Sequence, residues 1–340
     1  MRPVIIYPPT IDWDQLHQRP QQLLKAMSRQ GAISLFCNLD LHRQHPEGIE
    51  HLSAELILAN QLSLQQAAAW ARTNFPSSPL IIYYTYPPQT ALVRSVKADY
   101  RLFDSVDEPA GEFASWQNGY REAVSSADVV ITSARSLTEK AALFTQQPVN
   151  LVPNGCDFEH FRPSENRDPP TCAPFTSGKP VIGYIGAIAP WLDWGLINTM
   201  AHNLPDFEFV FIGSLLLQRG VGFANKNMHY LGHKPYELLP VYLSQFSHCL
   251  IPFQITEMTV GVNPVKFWEY MASGRPVLST ALPEIPPEYV TVINEEMFPG
   301  FRPPQEDVGQ DARIALARDN SWEKRAKEVL RLLHEKLEEG

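Results

Sequence analysis

Asn263-Pro-Val-Lys-Phe-Trp-Glu-Tyr-Met-Ala-Ser-Gly-Arg-Pro-Val-Leu-Ser279 reads as a loop, a short helix, a glycine turn and a buried strand. Lys266 and Glu269 fall three apart, so they share one helix face, one turn apart. A lysine neutralises a diphosphate, and a glutamate accepts hydrogen bonds from ribose hydroxyls. A helix that opens behind a loop presents free backbone N–H groups to an anion. Together these features describe a site for a nucleoside diphosphate.

Working outward, apolar runs and helical segments alternate on both sides of this stretch. Strands are expected at 4–8, 33–38, 80–86, 101–105, 128–133 and 149–153. Helices are expected at 14–29, 62–75, 89–96, 113–125 and 136–144, the last opened by a capping box of Ser136 and Glu139. Residues 162–180 are rich in Pro, Ser, Thr and Asp without periodicity, which suits a linker. Alternation then restarts, with strands at 181–186, 207–212, 228–232, 249–253 and 276–280 and helices at 192–202 and 236–246. Residues 301–319 are weakly patterned, and a final helix runs 322–337 behind a cap of Asn320 and Glu323. Strict alternation of this kind means parallel sheets covered by helices on both faces. The expected domains are 1–165 and 181–318, joined by a linker at 166–180. The helix within 319–340 is expected to pack back toward the first domain. In open α/β sheets ligands sit beyond the carboxyl ends of the strands, so the cleft between two such domains is the expected site.

With 340 residues the chain exceeds one ordinary core, which fits two domains. A net charge of −9 argues against a nucleic-acid partner, which calls for a basic footprint. The amino-terminal residues enter a strand without the features of a signal peptide, and no apolar run approaches the ~18 residues that span a bilayer. The expectation is therefore a cytoplasmic protein. Lys25 and Arg29 with Arg19 make only a thin basic patch, consistent at most with peripheral contact at the inner membrane face. Cys37, Cys156, Cys172 and Cys249 are scattered and read as reduced thiols, and no ligand cluster suggests a metal.

Five segments carry a family resemblance. PVKFWEYMASGRPVLST (264–280) resembles the nucleotide-sugar segment of GT-B glycosyltransferases of family 4 and its relatives. LVPNGCDFEHFRP (151–163) is similar to the segment that ends their first domain, and ADVVITSARSLTEKA (127–141) to the elements before it. VIGYIGAIAPWLDWGLI (181–197) resembles the opening of their second domain, and SWEKRAKEVL (321–330) their closing helix. The resemblance implies the GT-B fold: two Rossmann-like doubly wound domains facing across a cleft, with a C-terminal helix. It implies transfer of a sugar from a nucleoside diphosphate to a carbohydrate, lipid-linked or small-molecule acceptor, with retention and without a metal. No prosthetic group is implied, and a UDP-sugar is preferred over a GDP-sugar as donor.

The resemblance makes Glu269 the ribose ligand and Lys266 the donor-phosphate lysine. Around them it implies donor contacts from Gly261, Val262, Asn263, Pro264 and Gly186, and from His233 and Lys234 in the loop that meets the nucleobase. Two departures stand out. Family 4 usually has two glutamates eight residues apart, but Gly261 stands eight before Glu269, leaving Glu257 as a substitute from a longer loop. The loop 187–193 also lacks the Arg and Lys that often bind the diphosphate. Trp191 and Asp193 occupy it instead, and are candidates for sugar or acceptor contact. In the first domain Trp13, His17 and Arg19 are candidates for acceptor or phosphate, with Arg19 read as a loop residue because Pro20 follows it. Asp107 or Glu108 could orient an acceptor hydroxyl or take its proton. Two other readings stay open: a GT-B-fold UDP-sugar epimerase, and a catalytically silent GT-B-like binding protein.

Overall fold

The computed structural model describes residues 2–14, 17–164, 174–216, 222–298, 300–304 and 308–339. The linker expected at 166–180 falls largely outside the described residues, as do Leu16 and Cys172. The chain divides into two compact units. One comprises residues 1–154, 261–263 and 322–340, and the other comprises 155–260 and 264–321.

The first unit carries β1 (Val4–Tyr7), α1 (Arg19–Arg29), β2 (Ile33–Asn38), β3 (Gly48–His51), β4 (Leu56–Asn60), α2 (Leu64–Asn74) and β5 (Leu80–Tyr84). It continues with α3 (Thr90–Ser95), β6 (Tyr100–Ser105), α4 (Gln117–Ser126), β7 (Val129–Thr132), α5 (Arg135–Ala142) and β8 (Val149–Leu151). The eight strands are ordered β3-β4-β2-β1-β5-β6-β7-β8, all parallel except β3 against β4. The central strands are fully buried, which is why VIIY and LIIYY read as unbroken apolar runs. Sheet order reverses between β1 and β5, so the loops that follow those strands flank the switch point. The C-terminal helix, Trp322–Glu339, belongs to this unit and lies along α1.

Expectation and structure part in several places here. The hairpin β3–β4 was not read from the sequence. The helix expected from residue 14 starts at Arg19, with Pro20 in its first turn, where a missing N–H costs nothing. The capping box placed at Ser136 is absent: α5 begins a residue earlier behind Ala134, and the buried Ser136 hydroxyl has no hydrogen-bond partner among the described residues. A true capping box opens α2, with Ser63 and Gln66 bonding each other's backbone.

The turn after β2 holds Asp40 at φ 47° and Arg43 at φ 51°, a backbone region that side-chain-bearing residues rarely adopt. The Asp40 carboxylate holds it, accepting the amides of Gln44 (2.7 Å) and His45 (3.2 Å). The His45 ring then bridges two further carboxylates, with Nε2 2.6 Å from Asp14 and Nδ1 2.9 Å from Glu50. Ionised carboxylates only accept, so both contacts are satisfied by the imidazolium. Burial lowers the pKa of His45, but the hydrogen bonds to Asp14 and Glu50 outweigh it and the net shift is upward. A raised folded value means that the cluster's stabilisation is complete below the unfolded value of about 6.5 and is lost as pH climbs through the folded one. The melting-temperature gap between the native chain and His45→Gln should therefore shrink from pH 6 to pH 9. A gap that widens over that range would contradict the charged ring.

The second unit holds α6 (Phe158–Phe161), β9 (Val181–Ile185), α7 (Trp194–Asn203), β10 (Glu208–Ile212), β11 (Met228–Tyr230), α8 (Leu239–Leu243) and β12 (His248–Ile251). It continues with α9 (Glu257–Val260), α10 (Val265–Ser273), β13 (Val277–Ser279), β14 (Thr291–Val292) and α11 (Gln310–Asp319). Six parallel strands are ordered β11-β10-β9-β12-β13-β14. Counted from β9 this is 3-2-1-4-5-6, the order of a dinucleotide-binding sheet, with its switch point between β9 and β12. The expected cap Asn320 instead closes α11, its amide N–H bonding Ala317 and its side chain Leu316. Among the described residues, no helix is long and apolar enough to cross a membrane, and no group of His, Cys, Asp and Glu could hold a metal. Cys37, Cys156 and Cys249 are buried, and none is in a disulfide among the described residues.

A candidate nucleotide site at the switch point of the second sheet

α10 starts behind Pro264, runs from Val265 to Ser273, and ends on Gly274 at φ 73°, a left-handed cap that glycine adopts without strain. Phe267, Trp268, Tyr270, Met271 and Ala272 are buried. The Tyr270 hydroxyl fixes the helix to the sheet by accepting the Ile185 amide at 2.8 Å, at the carboxyl end of β9. The remaining stripe carries Lys266 and Glu269, both part-buried.

Lys266 extends toward the end of β9. Its ammonium lies 4.9 Å from the Phe253 ring centre and 5.4 Å from that of Tyr184. Gly186, at φ 147°, follows β9, and a β-carbon there would come within 2.8 Å of Lys266 Cε. A β-carbon on Gly213, after β10, would strike the Gly186 carbonyl at 2.0 Å. Glycine at both positions leaves the room that a cation beside the switch point needs. Burial pushes the Lys266 pKa down to about 8, partly offset by Glu269. Burial pushes Glu269 up to about 7, opposed by Lys266 and reinforced by Asp157. Neither side chain has a hydrogen bond or ion pair among the described residues. An ammonium held between two aromatic faces thus stands on the same stripe as a carboxyl poised near neutrality.

The other expected donor residues are spread more widely. His233 is exposed, and Lys234 sits over the Tyr242 ring at 5.8 Å. Glu257 is exposed at the start of α9. Trp191 is part-buried, and its indole faces the Tyr184 hydroxyl. Asp193 is spent as the cap of α7, accepting the Leu196 amide at 3.0 Å.

Within the first unit, several candidates proved to have structural partners. Trp13 is 5% exposed and packs edge-on against Phe36, so it is a core residue. His17 is part-buried just before α1. Arg19 was offered to a phosphate, but its guanidinium is buried and already engaged: Nε and Nη2 bond Asp104 at 2.7 and 3.1 Å, and Nη1 bonds Asn154 at 3.1 Å. Glu108 is buried and ion-paired with Lys140. Asp107 is part-buried, and burial with the nearby charge of Asp104 raises it to about 6. Gly261 is buried, and a β-carbon there would lie 3.2 Å from Ser136 Oγ and 3.4 Å from Glu108 Cβ. Val262 is part-buried, and Asn263 is buried and bonded to Asn154.

Sequence reasoning passed over Tyr184, Phe253 and Asp157 beside the Lys266–Glu269 stripe, and Asp104 and Asn154 around Arg19. Each lies in a segment that had been noted, but nothing local distinguishes a ring beneath a cation from an ordinary core ring.

No family model matches the chain. The Bacillus subtilis protein TuaH, whose assigned role is that of a teichuronic acid biosynthesis glycosyltransferase, is 26% identical over 223 residues. That match covers 59% of this chain and 55% of TuaH, so the chain spans about half the length of this curated relative. Among solved structures, sucrose-phosphate synthase from Thermosynechococcus elongatus superposes with a TM-score of 0.73 at 15% identity, over all of both chains. Anabaena HepE, solved with UDP and glucose, gives 0.67 at 13% identity, over 98% of this chain and all of that one. A UDP-N-acetylglucosamine 2-epimerase structure from Listeria monocytogenes gives 0.54 at 11% identity, over 100% and 98%. The chain has the GT-B fold expected from its sequence.

Proposed function

We propose that this chain is a nucleotide-sugar-dependent glycosyltransferase that binds its donor diphosphate at Lys266 and the donor ribose at Glu269. The observation that carries the reading is this pair, with no hydrogen bond or ion pair among the described residues, beside the switch point of a sheet ordered 3-2-1-4-5-6. Sugar transfer needs charge stabilised on a departing diphosphate, and a preorganised cation supplies it. Lys266 fills that role without a metal, and retention of configuration follows the family resemblance. Residues 181–318 take the donor and residues 1–165 the acceptor, with Asp107 nearest in character to a group that accepts a proton. Its elevated pKa keeps it close to neutrality, as a general base requires. The assigned role of TuaH and the UDP in the HepE structure support a UDP-sugar donor and a carbohydrate or lipid-linked acceptor.

A thermal-shift panel of UDP, GDP, ADP and TDP with their sugars tests this directly. A ligand at 100 times its Kd adds about 2.7 kcal/mol of stability, so UDP-sugars should raise the melting point by several degrees. No shift with any nucleotide would reject the site. The likeness to an epimerase keeps one alternative in view. Interconversion of the UDP-sugar with no acceptor present would favour it, and nucleotide binding without any turnover would favour a silent binding protein.

A further inference from the structure

Two segments of the second unit, one following β9 and one following β12, are zipped together. The Asp193 amide donates to the Pro252 carbonyl at 2.8 Å, and the Gln254 amide to the Trp191 carbonyl at 2.8 Å. The Gln254 side chain donates to the carbonyls of Pro190 and Leu192, both at 3.2 Å. Phe253 is fixed within this zipper and is 3% exposed. Tyr184, on β9, is fully buried. Its hydroxyl donates to the Ala187 carbonyl at 2.8 Å, and the Trp191 indole faces it. Lys266 Nζ lies against both rings, 4.9 Å from the centre of Phe253 and 5.4 Å from that of Tyr184. The acidic group that acts on it is Glu269, from its own helix. Burial raises the Tyr184 phenol far above its ordinary value, so that ring stays neutral.

We infer that Phe253 and Tyr184 are positioning residues, an aromatic clamp that holds the Lys266 ammonium charged at the end of β9 without neutralising it. The use of the clamp in sugar transfer rests on the donor reading above. The face of an aromatic ring attracts a cation within about 6 Å of its centre, yet carries no net charge. A carboxylate in the same place would also hold the lysine, but it would cancel the charge that a diphosphate needs, as Asp104 does for Arg19. Burial works in the opposite direction, driving Lys266 down to about 8 and toward the neutral amine. Two ring faces oppose that loss. Their help matters here because the loop 187–193 supplies no arginine or lysine of its own.

The test titrates Lys266 in the full chain without nucleotide, through the pH dependence of its acylation by acetic anhydride, read by peptide mass spectrometry. In Phe253→Leu the midpoint should fall by about half to one pH unit, the size of one lost cation–π contact. Tyr184→Phe keeps its ring and should move the midpoint less. Fluorinated phenylalanines at position 253 keep the packing but drain the ring face, so each added fluorine should lower the midpoint a further step. That series gives the answer even if Phe253→Leu does not fold. Affinity for UDP should follow: in Phe253→Leu it should drop roughly three- to tenfold on the alkaline side, the same shift on a logarithmic scale, and hardly change near pH 6.5. An affinity that drops equally at every pH would make Phe253 a packing residue and overturn the inference. So would a midpoint that neither Phe253→Leu nor fluorination moves, whichever nucleotide binds. A midpoint that shifts in a chain that binds no diphosphate nucleotide overturns the donor reading and leaves the clamp standing.

Discussion

Lys266→Ala is expected to lower kcat/KM for the donor by roughly 10²–10³-fold, the typical loss when one preorganised group that stabilises developing charge is removed. The loss should fall mainly on kcat. A cation that matters most as the diphosphate departs does more for the transition state than for the bound donor. Folding should be nearly untouched. A lysine whose burial pushes it down to about 8 contributes little as a charge to the resting protein, and it makes no hydrogen bond or ion pair among the described residues. The pH profile of nucleotide affinity provides a second check. Diphosphate binding favours the ammonium, so affinity is complete below about 8 and is lost as pH rises through the free and bound values of Lys266. Ribose hydroxyls favour the Glu269 carboxylate, so affinity is also lost as pH falls below about 7. The result is a bell with its top between these values. In Lys266→Ala the alkaline limb should vanish while the acid limb remains. Retention of both limbs, or of native turnover, would remove Lys266 from the site.

The sequence carried much of this architecture because its strands are buried on both faces. VIIY and LIIYY are unbroken apolar runs set between helical periods, and such runs are the clearest strand signal a chain offers. What was missed follows from weaker signals. β3, GIEH, is half-exposed and alternates poorly, and α11 mixes Arg and Asp with small residues and has only Arg313 and Ala317 buried. The site was legible where two residues share one helix face, as Lys266 and Glu269 do. It was illegible where partners come from distant strands. Asp104 lies 85 residues from Arg19, and Asn263 lies 109 from Asn154. An arginine read alone next to a proline invites a phosphate, and only the fold reveals the carboxylate that takes all but one end of its guanidinium.

That carboxylate makes the second large effect predictable. Asp104→Ala should destabilise the first unit by about 3–5 kcal/mol, the usual cost of stranding one member of a buried ion pair. Asp104 is 0% exposed and accepts from Arg19 Nε, Arg19 Nη2 and Tyr83 Oη, while Arg19 is 4% exposed. Removing the carboxylate leaves a permanently charged guanidinium in the core, with its bond to Asn154 Oδ1 still made. Two such units need not melt together, so the loss should be read from urea unfolding followed at the first unit, for example through the fluorescence of buried Trp322. The double variant Arg19→Met with Asp104→Leu separates cost from contribution. Taking both charges away removes the desolvation penalty along with the attraction, so it should recover most of the stability that Asp104→Ala loses. A double variant as unstable as Asp104→Ala would instead show that the attraction within the pair exceeds its desolvation cost.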